Sequence, residues 1–402
     1  LLLWTYMEHA AGNREEVYLL LTLSVNGALL LVTARHMASL FVALELMSVP
    51  MYGMAGYLYT QRRSLESATK YLVLSAAATS VMLFGMAFLY AQSGRLDFGG
   101  AAALFTSGHG LDSFLAQAGL VLLLAGLAFK LSLAPFHQWT LDVYEGAPAP
   151  VGAFLATVGK VAVVAVLLRL LQTGGVFGAN GDYPAGPAYG LLNVLAVVAV
   201  LSILAGNLLA LRQQSLKRLL AASSIAHFGY LLVAVIAGGV FANEAAGMYL
   251  TAYVFTTLGA FGVISVLSQA ADGRDADTLG AVRGLAHRSP LLALALTVML
   301  LSLAGIPLTA GFLGKFYVLA AGMAAGLWWL LGAVVIGSAL GLYFYLRVIA
   351  AIYAPAEGEP VRVAHGIATL TVILALVTVL LIGVWPQPLA HTLYFAPIAQ
   401  IP

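Results

Sequence analysis

Apolar runs of twenty or more residues recur along the whole 402-residue chain, and this feature restricts the fold most strongly. Such a run is long enough to cross the hydrocarbon core of a bilayer as an α-helix. Hydrophobic residues make up 62% of the chain and charged residues 8%, and the mean hydropathy is +0.97. The alternating segments of a transmembrane barrel do not occur. Because a helix satisfies its own backbone groups in lipid, the sequence predicts an all-α polytopic membrane protein.

A window of about twenty residues places eleven transmembrane segments along the chain. Their predicted ranges are 16–33, 36–58, 64–93, 111–143, 149–171, 186–211, 216–239, 243–270, 289–324, 326–353 and 361–389. Residues 1–15 are interpreted as the tail of a truncated amino-terminal region, because residues 1–6 resemble the end of another apolar segment. We find no signal-peptide pattern.

The arginines near the segment ends predict the orientation, because cytoplasmic loops retain positive charge. One side of the predicted topology collects ten arginines: Arg14, Arg62, Arg63, Arg212, Arg218, Arg274, Arg283, Arg288, Arg347 and Arg362. The opposite side holds only Arg35, Arg95 and Arg169. This bias predicts an outward-facing carboxyl terminus, with the connections after the second, sixth, eighth and tenth segments in the cytoplasm.

Two predicted segments are too long for a straight span and contain a proline. Pro135 follows the string LSLA in the fourth segment, and Pro307 follows LSLAGI in the ninth. Proline removes a helical hydrogen bond and clashes with the carbonyl four residues back. We therefore expect helix breaks at both sites, with backbone polar groups directed toward a protein-lined cavity.

The two LSLA strings belong to a wider self-similarity at a spacing of about 170 to 178 residues. Residues 65–72 (LESATKYL) are similar to 243–250 (NEAAGMYL), and Arg169 matches Arg347. Each element matches one that lies five segments later, so the two copies point in opposite directions. An inverted repeat of this kind is the architecture of many ion-coupled transporters. The predicted domains are 1–15, a first repeat at 16–171, a second at 186–353, and a carboxyl-terminal helix at 361–389.

Glu45, Lys70, Lys130, Lys160 and Lys315 lie inside these apolar stretches. An ionisable side chain at the bilayer centre costs roughly 2.5 to 3.5 kcal/mol, so it rarely persists without a partner or a role. Burial disfavours a charged amine, whereas a nearby carboxylate favours it. A change of distance or hydration can therefore switch a buried lysine between holding and releasing a proton. The pattern predicts a route for protons or ions through the membrane.

Each candidate also has a structural interpretation. The stem of Lys315, after the second break, can satisfy free carbonyls, and Lys70, about two turns into its helix, can extend to the interface. Lys70, Lys217 and His137 are possible proton-transfer residues, although Lys217 better suits a cytoplasmic anchor. His227, one turn after Ser223, can be a hydrogen-bonded core histidine, and His137 directly follows the first break.

The composition excludes several kinds of chemistry within this chain. It contains no cysteine, and its eight histidines are scattered, so neither an iron–sulfur framework nor a zinc site is expected. We find no glycine-rich phosphate loop and no basic patch for nucleic acid. Redox chemistry, if it is coupled to this chain, must take place elsewhere.

Five strings of residues resemble one known family. They are ALELMSVPMYG around Glu45, GLAFKLSLAPFHQWTLDVYEGAP around Lys130, FLATVGK ending at Lys160, LKRLLAASSIAHFGY around His227, and LSLAGIPLTAGFLGKFYV around Lys315. The chain from about residue 16 onward is similar to the antiporter-like membrane subunits of respiratory complex I. Members of that family usually have more spans, which suggests that the missing spans lie at the amino end.

The resemblance implies a subunit of the bacterial cytoplasmic (inner) membrane that translocates protons and does not work alone. Its partners would be other membrane-arm subunits and the lipid bilayer. NADH, FMN, iron–sulfur clusters and quinone would be bound by partner subunits, and none by this chain.

The resemblance also assigns roles to individual residues. Glu45 and Lys130 would form the ion pair of a first half-channel, and Lys160 would form a bridge toward the centre. Lys315 would be the terminal group near the second break, and His227 would belong to the connecting polar line. Two alternatives stay open: a secondary cation/proton antiporter, and a membrane scaffold whose charges only fix helix packing.

Overall fold

The fold is almost entirely α-helical, as the computed structural model shows. The structure describes residues 1–8, 15–100, 104, 113–173, 176–177, 187–268, 275–355 and 366–395. Arg14, Arg274, Arg362 and the ends of several predicted segments lie outside these residues. Within the described residues, extended pairing is limited to two isolated bridges, His36 with Asp97 and Ser215 with Thr278.

The helices are numbered here in chain order. They are α1 Leu2–Met7, α2 Glu15–Thr33, α3 Met37–Ala55, α4 Arg62–Ser93, α5 Phe114–Lys130, α6 Gln138–Gly146, α7 Ala149–Ala156, α8 Val158–Thr173, α9 Pro187–Leu211, α10 Leu216–Ala237, α11 Gly239–Ser268, α12 Leu279–Val282, α13 Leu285–Arg288, α14 Pro290–Ala304, α15 Ala310–Ala324, α16 Trp328–Tyr353, α17 Ile367–Val384 and α18 Gln387–Phe395.

The helices account for the eleven predicted membrane segments. In the described part of the chain, nine helical stretches are long and apolar enough to cross a membrane, with α7 and α8 counted as one. The other two passes are the interrupted pairs α5–α6 and α14–α15. The all-α polytopic prediction is therefore confirmed. The predicted range 361–389 is wrong at its end: α17 stops at Val384, and α18 begins only after Pro386, which cannot continue a helix hydrogen-bond ladder.

Both predicted helix breaks are present. Residues 131–137 separate α5 from α6 around Pro135, and residues 305–309 separate α14 from α15 around Pro307. Each break holds a non-glycine residue in the left-handed region, Ser132 at φ 62° and Leu308 at φ 72°. Such a conformation costs roughly 1 to 3 kcal/mol and persists only where the surrounding packing enforces it.

The helix α10 lies at the centre of the bundle. Every residue of its membrane-crossing stretch is buried, whereas α2 and α4 expose most of theirs. A helix that is covered on all sides needs no polar face, yet α10 carries Lys217, Ser224, His227 and Tyr230. Its polar side chains must therefore find partners on neighbouring helices.

Two glycines allow close helix contact at related positions in the two halves of the chain. A Cβ atom on Gly27 would lie 2.3 Å from the backbone nitrogen of Met47, and one on Gly206 would lie 2.4 Å from that of Ala226. Small residues at helix interfaces drive packing in lipid, where the hydrophobic effect between helices is absent. The pairs α2–α3 and α9–α10 therefore pack backbone against backbone.

Arg169 and Arg347 make similar contacts in the two halves. Arg169 Nη1 donates to the carbonyl of Ala34, one residue after α2, at 3.1 Å. Arg347 donates to the carbonyls of Leu211 and Gln213, at the end of α9, at 2.7 and 2.6 Å. The last carbonyls of a helix lack hydrogen-bond donors within the helix. The two arginines provide donors to carbonyls at or just after the ends of α2 and α9.

Candidate site: a line of buried amines, hydroxyls and a histidine

Lys130 is the last residue of α5 and is buried, with only 7% of its surface exposed. Its Nζ donates to Ser48 Oγ on α3 at 2.7 Å and to Ser75 Oγ on α4 at 2.8 Å. Ser75 also accepts a hydrogen bond from the hydroxyl of Tyr52 at 2.7 Å. The first helix break therefore leaves an amine held by neutral hydroxyl groups in the interior of the bundle.

The predicted direct ion pair between Glu45 and Lys130, both in the described part of the chain, is not formed. Glu45 Oε1 instead accepts a hydrogen bond from Thr79 Oγ1 at 2.9 Å. Glu45 lies one turn before Ser48 on α3, and Thr79 lies one turn after Ser75 on α4. The Glu45 carboxylate and the Lys130 amine thus lie in successive layers between α3 and α4. Each layer also contains hydroxyl groups from these two helices.

The backbone groups freed by the first break are satisfied inside the protein. Ala134 N donates to Ser202 Oγ on α9 at 2.9 Å, and Trp139 Nε1 donates to the carbonyl of Phe129 at 3.1 Å. Irregular backbone at membrane depth is tolerated where protein surrounds it. The break can therefore hold Lys130 at a fixed place without exposing unpaired groups to lipid.

Lys160 on α8 is 1% exposed and is the most deeply buried lysine of the described chain. Its Nζ donates to Ser224 Oγ on α10 at 2.6 Å. Aromatic rings cover the rest of the amine, with the Phe228 ring centroid at 4.7 Å and that of Tyr144 at 5.8 Å. Ring faces attract a cation but accept no proton, so Ser224 is the hydrogen-bonding partner of this amine among the described residues.

His227 lies one turn after Ser224 on the same helix and links to two tyrosines. Its Nδ1 is 2.7 Å from the hydroxyl of Tyr249 on α11, and its Nε2 is 3.2 Å from that of Tyr345 on α16. Tyr345 in turn hydrogen-bonds Ser223. A neutral imidazole with two hydroxyl partners can accept a proton on one nitrogen and release one from the other.

Lys315 on α15 points back into the second break. Its Nζ donates to the carbonyl of Ala304, the last residue of α14, at 2.8 Å, and it lies 5.2 Å from the centroid of the Tyr230 ring. Lys315 therefore makes the contact that its structural interpretation expects, a hydrogen bond to a carbonyl freed by the helix break. The contact does not exclude titration, because a carbonyl also tolerates a neutral amine as its donor.

A small cavity is bordered by both His227 and Lys315. Its volume is about 10 Å³, and its wall includes the hydroxyl-bearing residues Tyr249, Tyr253 and Thr256. This volume is close to the minimum, roughly 10 to 15 Å³, that holds one water molecule. Within the described residues the line from Lys160 to Lys315 has two gaps: no hydrogen bond joins the Ser224 group to His227, whose ring centroid is 5.5 Å from that of Tyr253, and a space of water size borders His227 and Lys315.

Lys130 and Lys160 are not joined in the same way. Within the described residues no hydrogen bond connects the group around Lys130 with Ser224. The side chains of Met47 and Met51 lie beside Gly159, one residue before Lys160. Apolar side chains therefore lie beside the helical segment that carries Lys160.

Three other sequence candidates lie away from this line. Lys70 is 40% exposed and forms ion pairs with Glu66 at 2.7 Å and Asp142 at 2.6 Å. Lys217, expected as an anchor, is 3% exposed and pairs with Asp275. His137 is partly exposed, and no hydrogen bond within the described residues reaches its Nδ1.

Sequence reasoning did not identify the hydroxyl partners. Ser75, Thr79, Ser224 and the tyrosines of α11 and α16 provide most of the hydrogen bonds of the line. One signal was available: Tyr249 and Tyr253 are four residues apart and so share a helix face. Among the described residues there is no cluster of His, Cys, Asp and Glu suited to a metal ion.

The fold and this line define a polytopic membrane protein with ionisable groups buried at membrane depth. Residues 34–341 match the family model described as "NADH:quinone oxidoreductase/Mrp antiporter, TM". The chain is also 53% identical over 400 residues to NADH-quinone oxidoreductase subunit N of Ectopseudomonas mendocina (strain ymp), covering 97% of this chain and 78% of that protein. The chain therefore belongs to this family of antiporter-like subunits, which confirms the resemblance seen in the sequence.

Solved structures give the same result for the fold. A chain of respiratory complex I from Thermus thermophilus with bound aureothin is 38% identical, with a TM-score of 0.82, and the match covers 98% of this chain and 83% of that one. A chain of the Mrp complex from Dietzia sp. DQ12-45-1b, 22% identical with a TM-score of 0.77, covers 94% and 76% respectively. The second likeness concerns the fold alone.

Proposed function

We propose that the chain is a proton-translocating membrane-arm subunit of an NADH:quinone oxidoreductase, the counterpart of subunit N in its relatives. One observation carries the proposal: the hydrogen-bonded groups of Lys160 with Ser224 and of His227 with two tyrosines meet within one turn of α10, and a small cavity borders both His227 and Lys315. Ionisable groups at this depth persist at a cost, and a proton pathway gives them a role.

The chemistry of the line suits protons. Lys160 and Lys315 each hold or release one proton, and His227 passes protons between its two nitrogens. Serine, threonine and tyrosine hydroxyls both donate and accept, so they can exchange one proton for another without changing charge. Lys130 and Glu45 form the corresponding acid and base of the first half-channel, with Ser48, Ser75 and Thr79 as their hydroxyl partners.

The driving force comes from outside this chain. Moving one charge against 100 mV requires about 2.3 kcal/mol, which electron transfer in partner subunits supplies. NADH, FMN, iron–sulfur clusters and quinone belong to those partners in this proposal. The residues of this chain respond through distance and hydration, because both determine whether a buried amine keeps its proton.

The proposal also includes the division of the chain into two repeated halves. Residues 16–171 and 186–353 form two inverted repeats, and the last helix follows them. The similar carbonyl contacts of Arg169 and Arg347 support this division. The arginine distribution supports a bacterial inner-membrane location with the carboxyl terminus in the periplasm.

Replacing Lys130 by Met in the assembled complex tests the function. We expect normal assembly, because methionine fills a similar volume, and a loss of proton movement per NADH oxidised in sealed vesicles. Lys70→Met is the matched control, since the same change there removes two ion pairs of a lysine that is 40% exposed. Full proton movement by the Lys130 variant would instead support a scaffold.

The antiporter alternative predicts a different result. A secondary cation/proton antiporter would exchange cations for protons in vesicles without NADH oxidation. We expect that the chain copurifies with partner subunits that have NADH:quinone oxidoreductase activity. The isolated chain should not exchange cations for protons.

A further inference from the structure

A polar pocket lies at one end of the bundle, away from the buried line. Its volume is about 580 Å³, and four segments meet around it: residues 58–63, residues 145–148, the start of α10, and residues 275–278. Its lining runs from the exposed Arg63, at 76% side-chain exposure, to Lys217 at 3%. The pocket therefore leads from solvent to a buried amine.

The buried end of the pocket holds a compact group. Lys217 forms an ion pair with Asp275 and donates to the carbonyl of Ala147 at 3.0 Å. The other carboxylate oxygen of Asp275 accepts a hydrogen bond from the Tyr6 hydroxyl at 2.6 Å. A charge this deep needs its partner, and its position against a polar pocket gives it access to water.

The helix α10 connects this group to the buried line. Lys217 and Ser224 are seven residues apart, so they lie two turns apart on nearly the same face, about 10 Å along the axis. Ser224 is the hydrogen-bond partner of Lys160. Leu220 and Ala221 lie between them and are buried, so transfer along this face requires water to enter between the two turns.

We propose that this pocket is the aqueous mouth of the proton route and that Lys217, held by Asp275, is the residue that passes protons from it toward Lys160. The Lys217 ammonium gives one proton inward, through water and Ser224, to a neutral Lys160 amine. Lys217 then takes one proton from hydronium in the pocket, which becomes water; the charge of Lys217 is restored, and Lys160 carries the proton that has entered. This inference rests on the proposed function, and the arginine distribution places the mouth on the cytoplasmic side.

The absence of cysteine from this chain permits a sharp test. Lys217→Cys is introduced into the whole complex, and inside-out vesicles are treated with an aminoethyl or a trimethylammonium-ethyl methanethiosulfonate. Both reagents add a positive charge, but only the aminoethyl group can release a proton. The unsubstituted complex, treated identically, measures reactions with cysteines of other subunits.

We expect Lys217→Cys to lose proton movement and the aminoethyl reagent alone to restore most of it. If both reagents restored proton movement, the charge of Lys217 would have only a structural role, and the proposal would be overturned. Full proton movement in the untreated Lys217→Cys variant would overturn it as well. Failure of both reagents to react at Cys would show that water does not reach the pocket floor.

Lys217→Arg keeps the test decisive if the cysteine variant does not assemble. Arginine keeps the charge and the ion pair but does not release its proton in proteins. We expect assembly with loss of proton movement, and normal proton movement would contradict the inference. Parallel measurement of Lys130→Met separates the two proposals: if only the Lys130 variant is impaired, the mouth is misplaced while the proposed function stands.

Discussion

Lys160 and Tyr253 donate to the same acceptor, the hydroxyl oxygen of Ser224, at 2.6 and 2.9 Å. Two accepted hydrogen bonds use both lone pairs of this oxygen, so its own hydrogen must point elsewhere. Because a hydroxyl both donates and accepts, Ser224 can exchange its proton with Lys160 when these hydrogen bonds reorient. This single hydroxyl connects the most buried lysine with the tyrosine beside His227.

Ser224→Ala tests this connection. The change removes the only hydrogen-bond partner of Lys160 among the described residues and leaves a buried donor unsatisfied, at a cost of about 1 to 3 kcal/mol. We expect proton movement per NADH to fall while the complex still assembles. Ser80→Ala is the matched control, since Ser80 is exposed and bonds only the carbonyl of Ala76 in the described structure. Equal proton movement in both variants would remove Ser224 from the route.

Thr79→Val tests the layer around Glu45. Valine keeps the shape of threonine but cannot donate to the Glu45 carboxylate. We expect slower coupled NADH oxidation, because the Glu45 carboxylate loses the hydroxyl that donates to it. Thr22→Val on α2, where the hydroxyl bonds its own helix, is the control. An unchanged rate for Thr79→Val would show that this hydroxyl does not contribute.

Gly206→Ala tests the close packing of α9 on α10. The added methyl group would lie 2.4 Å from the backbone nitrogen of Ala226, so the two helices must separate. We expect poor assembly and a lower melting temperature. Gly332→Ala should have little effect, because nothing lies within 4 Å of a Cβ atom there. Normal stability of the Gly206 variant would contradict the packing described here.

Arg347→Gln tests the carbonyl contacts that the two halves share. The variant loses its charged donor to the carbonyls of Leu211 and Gln213, and hydrogen bonds of this kind contribute about 1.5 to 3 kcal/mol each. We expect a lower melting temperature with coupling retained in the molecules that assemble. An equal melting temperature would show that water replaces the guanidinium at no cost.

The sequence predicted the membrane topology well because its signals are strong and local. Apolar runs of bilayer length gave eleven passes, and Pro135 and Pro307 marked both breaks. The error at the last helix arose at Pro386, which lies within an otherwise apolar stretch that continues past it.

The partners of the buried charges were harder to predict. The energetic cost of burial singles out Lys130 and Lys160 in the sequence, but it does not say which groups surround them. Hydroxyl residues are common in membrane helices and often bond their own backbone, as Thr256 does. Only the packing of α3 against α4 decides that Ser48 and Ser75, rather than Glu45, contact Lys130.

The burial of Lys70 and Lys217 was also not predictable from the sequence. Both lie near the start of a helix, where a lysine stem can reach the interface. The outer position of α4 leaves Lys70 half-exposed, whereas the central position of α10 buries Lys217. The position of the helix in the bundle, which the sequence does not state, determines which of the two lysines is buried.

Ordered water is the most direct measure of the central claim that hydration joins the buried amines into one route. A high-resolution density map of the assembled complex should show a water molecule in the cavity between His227 and Lys315, within hydrogen-bond distance of both. It should also show water between the layers of Lys130 and Lys160 in at least one functional state. A dry cavity and an unhydrated gap in every state would contradict the account.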